Sequence, residues 1–201
     1  MKTAIIIFPG SNCDQETEKF LYECTGVRPM MVWHKESVLP DADLYVLPGG
    51  FSYGDNLRAG AISAHSPILK AIKRAADEGR QILGICNGFQ ILCEAGLLPG
   101  TLLPNKSQNF ICKPVEIESQ GGHNYTIPIA HKEGNYYSPS IVNVAFTYTE
   151  DINGSMGNIA GVYNNQLNVL GMMPHPERAF ESFHCSQDGI TIFKTLFNLH
   201  K

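Results

Sequence analysis

Ile82-Leu83-Gly84-Ile85-Cys86-Asn87-Gly88-Phe89-Gln90-Ile91-Leu92 passes from an apolar run into a helical pattern with no loop between them. The pattern predicts a strand over Ile82–Ile85 and a helix over Asn87–Ala95 that stops at Gly96. The same alternation extends upstream. Ser66-Pro67 offers an N-cap and a first-turn proline. Ile68, Ile72, Ala75 and Ala76 then form an apolar stripe opposite Lys70, Lys73, Arg74 and Asp77, until Gly79 ends the helix. Leu44–Leu47 and Arg28–Val32 read as strands, as does Ala4–Phe8, which precedes a helix near Gln15–Cys24 that stops at Gly26. Strands separated by helices of this length predict βαβ units and a parallel sheet. Downstream the rhythm changes. Cys112–Glu118, Tyr125–Ile129, Ile141–Tyr148, Ile159–Tyr163 and Leu167–Met173 read as strands with few helices between them, Asn164-Asn165 as a hairpin turn, and Ile190–Leu199 as a closing helix. The expected fold is therefore α/β: one domain over residues 1–201, with a mostly parallel central sheet flanked by helices and extra antiparallel strands in the second half.

A formal net charge of -4, with 43% hydrophobic and 17% charged residues, gives no reason to expect nucleic acid or an anionic membrane as partner. The apolar run at the N-terminus ends at Pro9-Gly10, too short for a signal-peptide core. No stretch approaches the ~20 apolar residues of a membrane helix. The expected location is cytoplasmic, where the six cysteines, lacking any C-x-x-C pair, should be free thiols.

Parallel sheets place their sites in loops at the carboxyl ends of strands. Three such ends carry glycine-rich turns: Pro9-Gly10-Ser11, Pro48-Gly49-Gly50 and Gly84-Ile85-Cys86-Asn87-Gly88. The last has the form G-x-C-x-G, the layout of a nucleophile elbow. It would present Cys86, exposed, at a helix N-terminus, where partial positive charge favours the thiolate. The Asn87 N–H would then face the same space as an oxyanion donor. The plainer reading is a buried cysteine in a tight turn. Cys13 is the rival thiol, also between a strand and a helix but lacking the following glycine; Cys93 reads as core.

A cysteine nucleophile needs a histidine and a group that orients it. Of seven histidines, His175 stands out in Met173-Pro174-His175-Pro176-Glu177-Arg178. The prolines favour an extended backbone, which would turn His175 and Glu177 to the same side. The alternative is a solvated proline-rich loop. Metal ligation by His175, His184 and Cys185 matches no common zinc spacing, so no metal is expected.

With G-x-C-x-G and P-H-P-E both in place, the sequence resembles the class I glutamine amidotransferases, whose sheet is flavodoxin-like. Within that class it is most similar to the glutaminase subunits of phosphoribosylformylglycinamidine synthases. Phe8 to Asp14, Leu47 to Asp55, Cys86 to Leu92, Ile129 to His131, Glu133 to Tyr136 and Met172 to Arg178 carry the likeness, in order along almost the whole chain. The resemblance implies that Cys86 is the nucleophile, His175 the general base and acid, and Glu177 its orienter. It implies that the Gly50 and Asn87 N–H groups form an oxyanion hole and that Gln90 helps to hold glutamine. His131 and Glu133 would lie near the site without an assigned role. It further implies that ammonia passes to a separate synthetase chain that uses ATP and Mg, often with a small bridging subunit. No G-x-x-x-x-G-K-[ST] pattern occurs here, which agrees with ATP being handled elsewhere.

Two departures stand out. Lys132 replaces the family's usual glycine, and the stretches between Cys112 and Ile127 and after Tyr137 are short, which bears on partner docking. A related protease or deglycase would carry histidine straight after the cysteine, where this chain has Asn87. A regulatory subunit without activity would be free to lose Cys86, His175 and Glu177.

Overall fold

The computed structural model describes residues 1–199. In chain order the elements are β1 (Thr3–Ile7), α1 (Asp14–Thr25), β2 (Met30–Trp33), β3 (Leu44–Leu47), α2 (Pro67–Asp77), β4 (Gln81–Ile85), α3 (Asn87–Glu94), β5 (Thr101–Leu103), β6 (Ile111–Ser119), β7 (Asn124–His131), β8 (Asn135–Tyr137), β9 (Asn143–Tyr148), β10 (Ile159–Tyr163), β11 (Val169–Met172) and α4 (Asp188–Leu196). Nine strands form one sheet in the order β2-β1-β3-β4-β11-β10-β9-β6-β7. The β2, β1, β3, β4 and β11 neighbours pair in parallel, whereas β11-β10-β9-β6-β7 run antiparallel. The mixed sheet anticipated from the sequence is thus present. No helix among the described residues is long and apolar enough to cross a membrane.

β3 and β4 are central and read LYVL and QILGI; after the exposed Gln81 both are apolar and buried, as a strand covered on both faces requires. Because β1, β3, β4 and β11 are adjacent and parallel, their carboxyl ends bring Pro9–Cys13, Pro48–Asp55, Cys86 and Met173–Arg178 to one edge of the sheet. α3 packs tightly on that sheet. A Cβ on Gly88 would lie 2.0 Å from the Leu47 carbonyl oxygen, and one on Gly84 would lie 2.7 Å from the Gly88 backbone. The two glycines of the elbow are therefore spacers between helix and strand, rather than residues freed to bend. We expect Gly88→Ala to push α3 off β3 and to cost about 3 kcal/mol, the upper range for overpacking a core. An unchanged urea midpoint would contradict this.

Several local expectations shift. Ser66 caps α2 by position alone: its hydroxyl lies 3.2 Å from His34 Nδ1 rather than on the helix. Ile141 is fully exposed and β9 begins two residues later, at Asn143. The Asn164-Asn165 turn is a five-residue connection, closed by the Asn168 and Val169 N–H groups on Asn164 Oδ1. β5 and β8 pair in a small separate sheet that no sequence signal announced. The short stretch after Cys112 is a tight β6–β7 hairpin, with Ser119 N–H on His123 O at 2.9 Å and Gly122 at φ +74°. Lys132 is absent from the left-handed region, so a side chain there costs no strain.

Candidate active site

Cys86 joins β4 to α3. Its N–H donates to Met172 O (2.8 Å), the last bond of the strand, and its carbonyl accepts from Gln90 N–H (3.1 Å), the first of the helix. Changing from one ladder to the other on a single residue forces φ +49°, ψ −104°, a strained conformation for a non-glycine. The expected exposure is not found: Cys86 is 4% exposed, and its Sγ lies 3.7 Å from Ala130 O on the edge of β7. The Asn87 N–H is in the first helical turn, where no intrahelical acceptor exists.

Gly50 lies three residues past the end of β3. Cys13 N–H donates to Gly49 O (3.3 Å) and Phe51 N–H to Gly10 O (2.9 Å), so the Pro9–Cys13 loop holds the peptides on either side. In a trans peptide the C=O and N–H point opposite ways, so the Gly50 N–H points away from Cys13. Gly50 has φ +147°, and a Cβ on it would fall 2.5 Å from Gly10 O.

His175 and Glu177 are held together as anticipated but not by an extended strand. Pro176–Arg178 is one turn of 3-10 helix, and it brings Glu177 Oε1 to 2.6 Å from His175 Nδ1. His175 N–H donates to Pro128 O (2.9 Å), fixing the segment on β7. Both side chains are buried, at 2% and 0% exposure, and His175 Nε2 and Glu177 Oε2 have no partner among the described residues. Burial disfavours the imidazolium, yet Glu177, then Cys86 and Cys13, outweigh it and hold His175 well above the ordinary histidine range. Among the described residues, Cys13, His175 and Glu177 are the one group whose ligand atoms lie within 4.8 Å of one another. Arg178 Nη2 donates to Cys13 Sγ at 3.1 Å, and the imidazole and carboxylate are bonded to each other. A guanidinium on the sulfur suits an anionic or polar centre, not a cation site. His184 is occupied otherwise, its Nδ1 accepting the Phe180 and Glu181 N–H groups. A cavity of about 560 Å³ lies against His175, Glu177 and Arg178 but does not reach Cys86.

Gln90 is buried one turn along α3. Its Nε2 donates to Glu133 O (2.7 Å) and its Oε1 accepts from Asn87 Nδ2 (2.9 Å), while Asn87 Oδ1 accepts from Ser52 N–H (3.2 Å). The turn after β7 is thereby tied to the nucleophile helix. Sequence reasoning missed Asp55, whose carboxyl burial and then Glu133 push up to about 6. It also missed Asn105, a buried residue in no recognised motif. Asn105 Nδ2 donates to His131 O and Asn109 O, both 2.9 Å, and Oδ1 accepts from Gly134 N–H (3.1 Å). That fixes Oδ1 as acceptor, so His131 Nδ1, 3.0 Å away, carries the proton.

Burial, and then His175, lower His131 to about 4. A histidine that binds its proton more weakly when folded costs stability as pH falls from the ordinary value of ~6.5 towards 4. The loss over that window should be on the order of 3 kcal/mol. His131→Gln should flatten the acid side of the stability curve; equal slopes for both proteins in urea titrations between those pH values would refute this.

The family model of the CobB/CobQ-like glutamine amidotransferase domain matches residues 1–145. That span holds Gly50, Cys86, Asn87 and Gln90 and ends before His175 and Glu177. Over 99% of each chain, the sequence is 46% identical to the phosphoribosylformylglycinamidine synthase subunit PurQ of Zymomonas mobilis. It is 50% identical to the protein of the same name from Pyrococcus horikoshii, over 98% of this chain and 97% of that one. A chain in the solved structure of PurLQS from Thermotoga maritima matches with a TM-score of 0.94 at 44% identity, over 100% of this chain and 99% of that one. The Zymomonas alignment spans 219 positions against 201 residues here, so that relative carries residues this chain lacks.

Proposed function

The chain belongs to the CobB/CobQ-like glutamine amidotransferase family, and on that footing we propose that it is the glutaminase subunit of a phosphoribosylformylglycinamidine synthase. It hydrolyses glutamine to glutamate and ammonia. Residues 1–201 act as a single amidotransferase domain. The Cys86 thiolate attacks the side-chain amide carbon, and the oxyanion is held by the Gly50 and Asn87 N–H groups. The His175 imidazolium protonates the departing ammonia. The neutral imidazole then takes a proton from water, which cleaves the thioester and returns Cys86. Glu177 fixes the tautomer that this requires, and Gln90 helps to hold the substrate. The reading rests most directly on the 2.6 Å His175–Glu177 contact beside a cysteine at a helix N-terminus.

Ammonia then passes to a separate synthetase chain that uses ATP and Mg to aminate formylglycinamide ribonucleotide in de novo purine biosynthesis. A small bridging subunit completes the assembly, which works in the cytoplasm. The chain itself holds no cofactor. Support comes from relatives named as subunits of that synthase and from the likeness to a PurLQS chain. The test is reconstitution with the synthetase and bridging chains: glutamine should support product formation only when this chain is present. Alone, the chain should hydrolyse glutamine slowly, since uncoupled turnover wastes substrate. Brisk turnover by the chain alone would contradict that expectation.

A further inference from the structure

The two cysteines first weighed as rivals end up on the same imidazole. Gly49 touches both groups: a Cβ there would lie 2.7 Å from His175 Cε1 and 3.2 Å from Cys13 Sγ. Cys13 is 2% exposed, and its sulfur lies within 4.8 Å of a Glu177 oxygen. Arg178 is half-buried, follows Glu177 directly, and feels that carboxylate electrostatically. Yet Arg178 Nη2 is on Cys13 Sγ at 3.1 Å, while the second Glu177 oxygen has no partner among the described residues. A buried carboxylate oxygen next to a guanidinium normally attracts it, because such pairs are about twice as strong as neutral hydrogen bonds. Something keeps them apart.

We infer that Cys13 is a positioning residue of the hydrolytic centre: its sulfur anchors the Arg178 guanidinium and so leaves the Glu177 carboxylate to His175 alone. The inference rests on the proposed glutaminase mechanism, in which the imidazolium of His175 needs an undivided counter-ion. With Cys13 removed, Arg178 turns onto Glu177 and competes with the imidazole for the same negative charge. The other titratable groups around His175 are Cys86 at the elbow, His131 on β7, Glu16 and Lys19 on α1, and, across the adjoining cavity, Cys112 on β6 with Glu181, His184 and Cys185 before α4; Glu16 also faces Arg178. None of them fills the place of the sulfur. If Cys13 only packs, as most buried thiols do, its removal should leave the balance of charge unchanged.

The experiment compares Cys13→Ala, Cys13→Ser, Arg178→Gln and Cys13→Ala/Arg178→Gln. Each is made in the full chain, checked for folding by thermal midpoint, and assembled with the synthetase. Cys13→Ala should lose about tenfold in kcat, the scale of one charge-assisted hydrogen bond, with KM for glutamine unchanged. Its alkaline limb should move to lower pH, because a weaker counter-ion lets His175 lose its proton sooner. Cys13→Ser, which keeps an acceptor for the guanidinium, should stay near wild type. The double variant should be no worse than Arg178→Gln, since the competing cation is gone. Equal loss at every pH, a Cys13→Ser as impaired as Cys13→Ala, or additive losses in the double variant would each overturn the inference. If Cys13→Ala does not fold, the pH profiles of Cys13→Ser and Arg178→Gln still decide it: both should lie near wild type, and a displaced alkaline limb in either overturns it. A second arm needs no turnover: iodoacetamide labelling of Cys86, located by peptide mapping, should slow at neutral pH in Cys13→Ala and not in Cys13→Ser. Should the wild-type assembly fail to use glutamine, the glutaminase reading falls, while the labelling arm still decides the role of Cys13.

Discussion

Cys86→Ala should abolish product formation from glutamine in the reconstituted synthase while leaving formation from ammonium salt intact. The sulfur is the only atom proposed to bond the substrate, and losing such a nucleophile costs about 10⁴-fold or more. The fold should survive. Alanine tolerates φ +49° no worse than cysteine does, and the change removes one atom, which approaches Ala130 O at 3.7 Å. In the proposed assembly ammonium reaches the synthetase without this chain, so the comparison separates lost chemistry from lost assembly. Loss of both reactions would point to a structural role for Cys86, and loss of neither would remove it from the mechanism.

Glu177→Gln should lower glutamine turnover about 10³- to 10⁴-fold with little change in glutamine affinity. The amide is isosteric and can still meet Nδ1 at the 2.6 Å position. It carries no charge to stabilise the imidazolium, and when its NH₂ faces the ring it imposes the wrong tautomer. The pH dependence has a definite sign. His175 is raised when folded, so the stability it contributes is fully present below the ordinary ~6.5 and is lost as pH rises through the higher folded value. Glu177 is the leading cause of the rise. The variant should therefore lack that stabilisation at low pH, and its activity should fail at lower pH on the alkaline side. Turnover profiles and thermal midpoints across pH would measure both, and a profile that merely drops without moving would sink the assignment of Glu177 as counter-ion.

The sheet was legible because its evidence is local. Ile82–Ile85 and Leu44–Leu47 are apolar runs that lead into glycine-rich turns, and the stripe from Ile68 to Ala76 repeats at helical spacing. β5 and β8 were not legible, because three-residue strands carry no period and exist only through their pairing. The His175–Glu177 pair was found for a partly mistaken reason: the spacing was right, but a 3-10 turn rather than an extended strand brings the groups together. Cys13 misled in the opposite direction. As a rival nucleophile it looked like a false lead, and nothing near it in sequence indicates that Arg178 and His175, more than 160 residues away, would close around it.

Residue order alone determined the parallel strands and the helices between them, and which cysteine stands where a strand turns into a helix. Those properties depend on neighbours a few positions apart, which a sequence lists directly. Only the folded chain decided that Cys86 is covered by β7, that Gly84 and Gly88 are spacers against Leu47 and α3, that Asn105 fixes the tautomer of His131, and that Arg178 turns from Glu177 to sulfur. Each of these is a contact between distant segments whose strength depends on burial and direction, and both are set by the packing of the sheet edge rather than by any spacing along the chain.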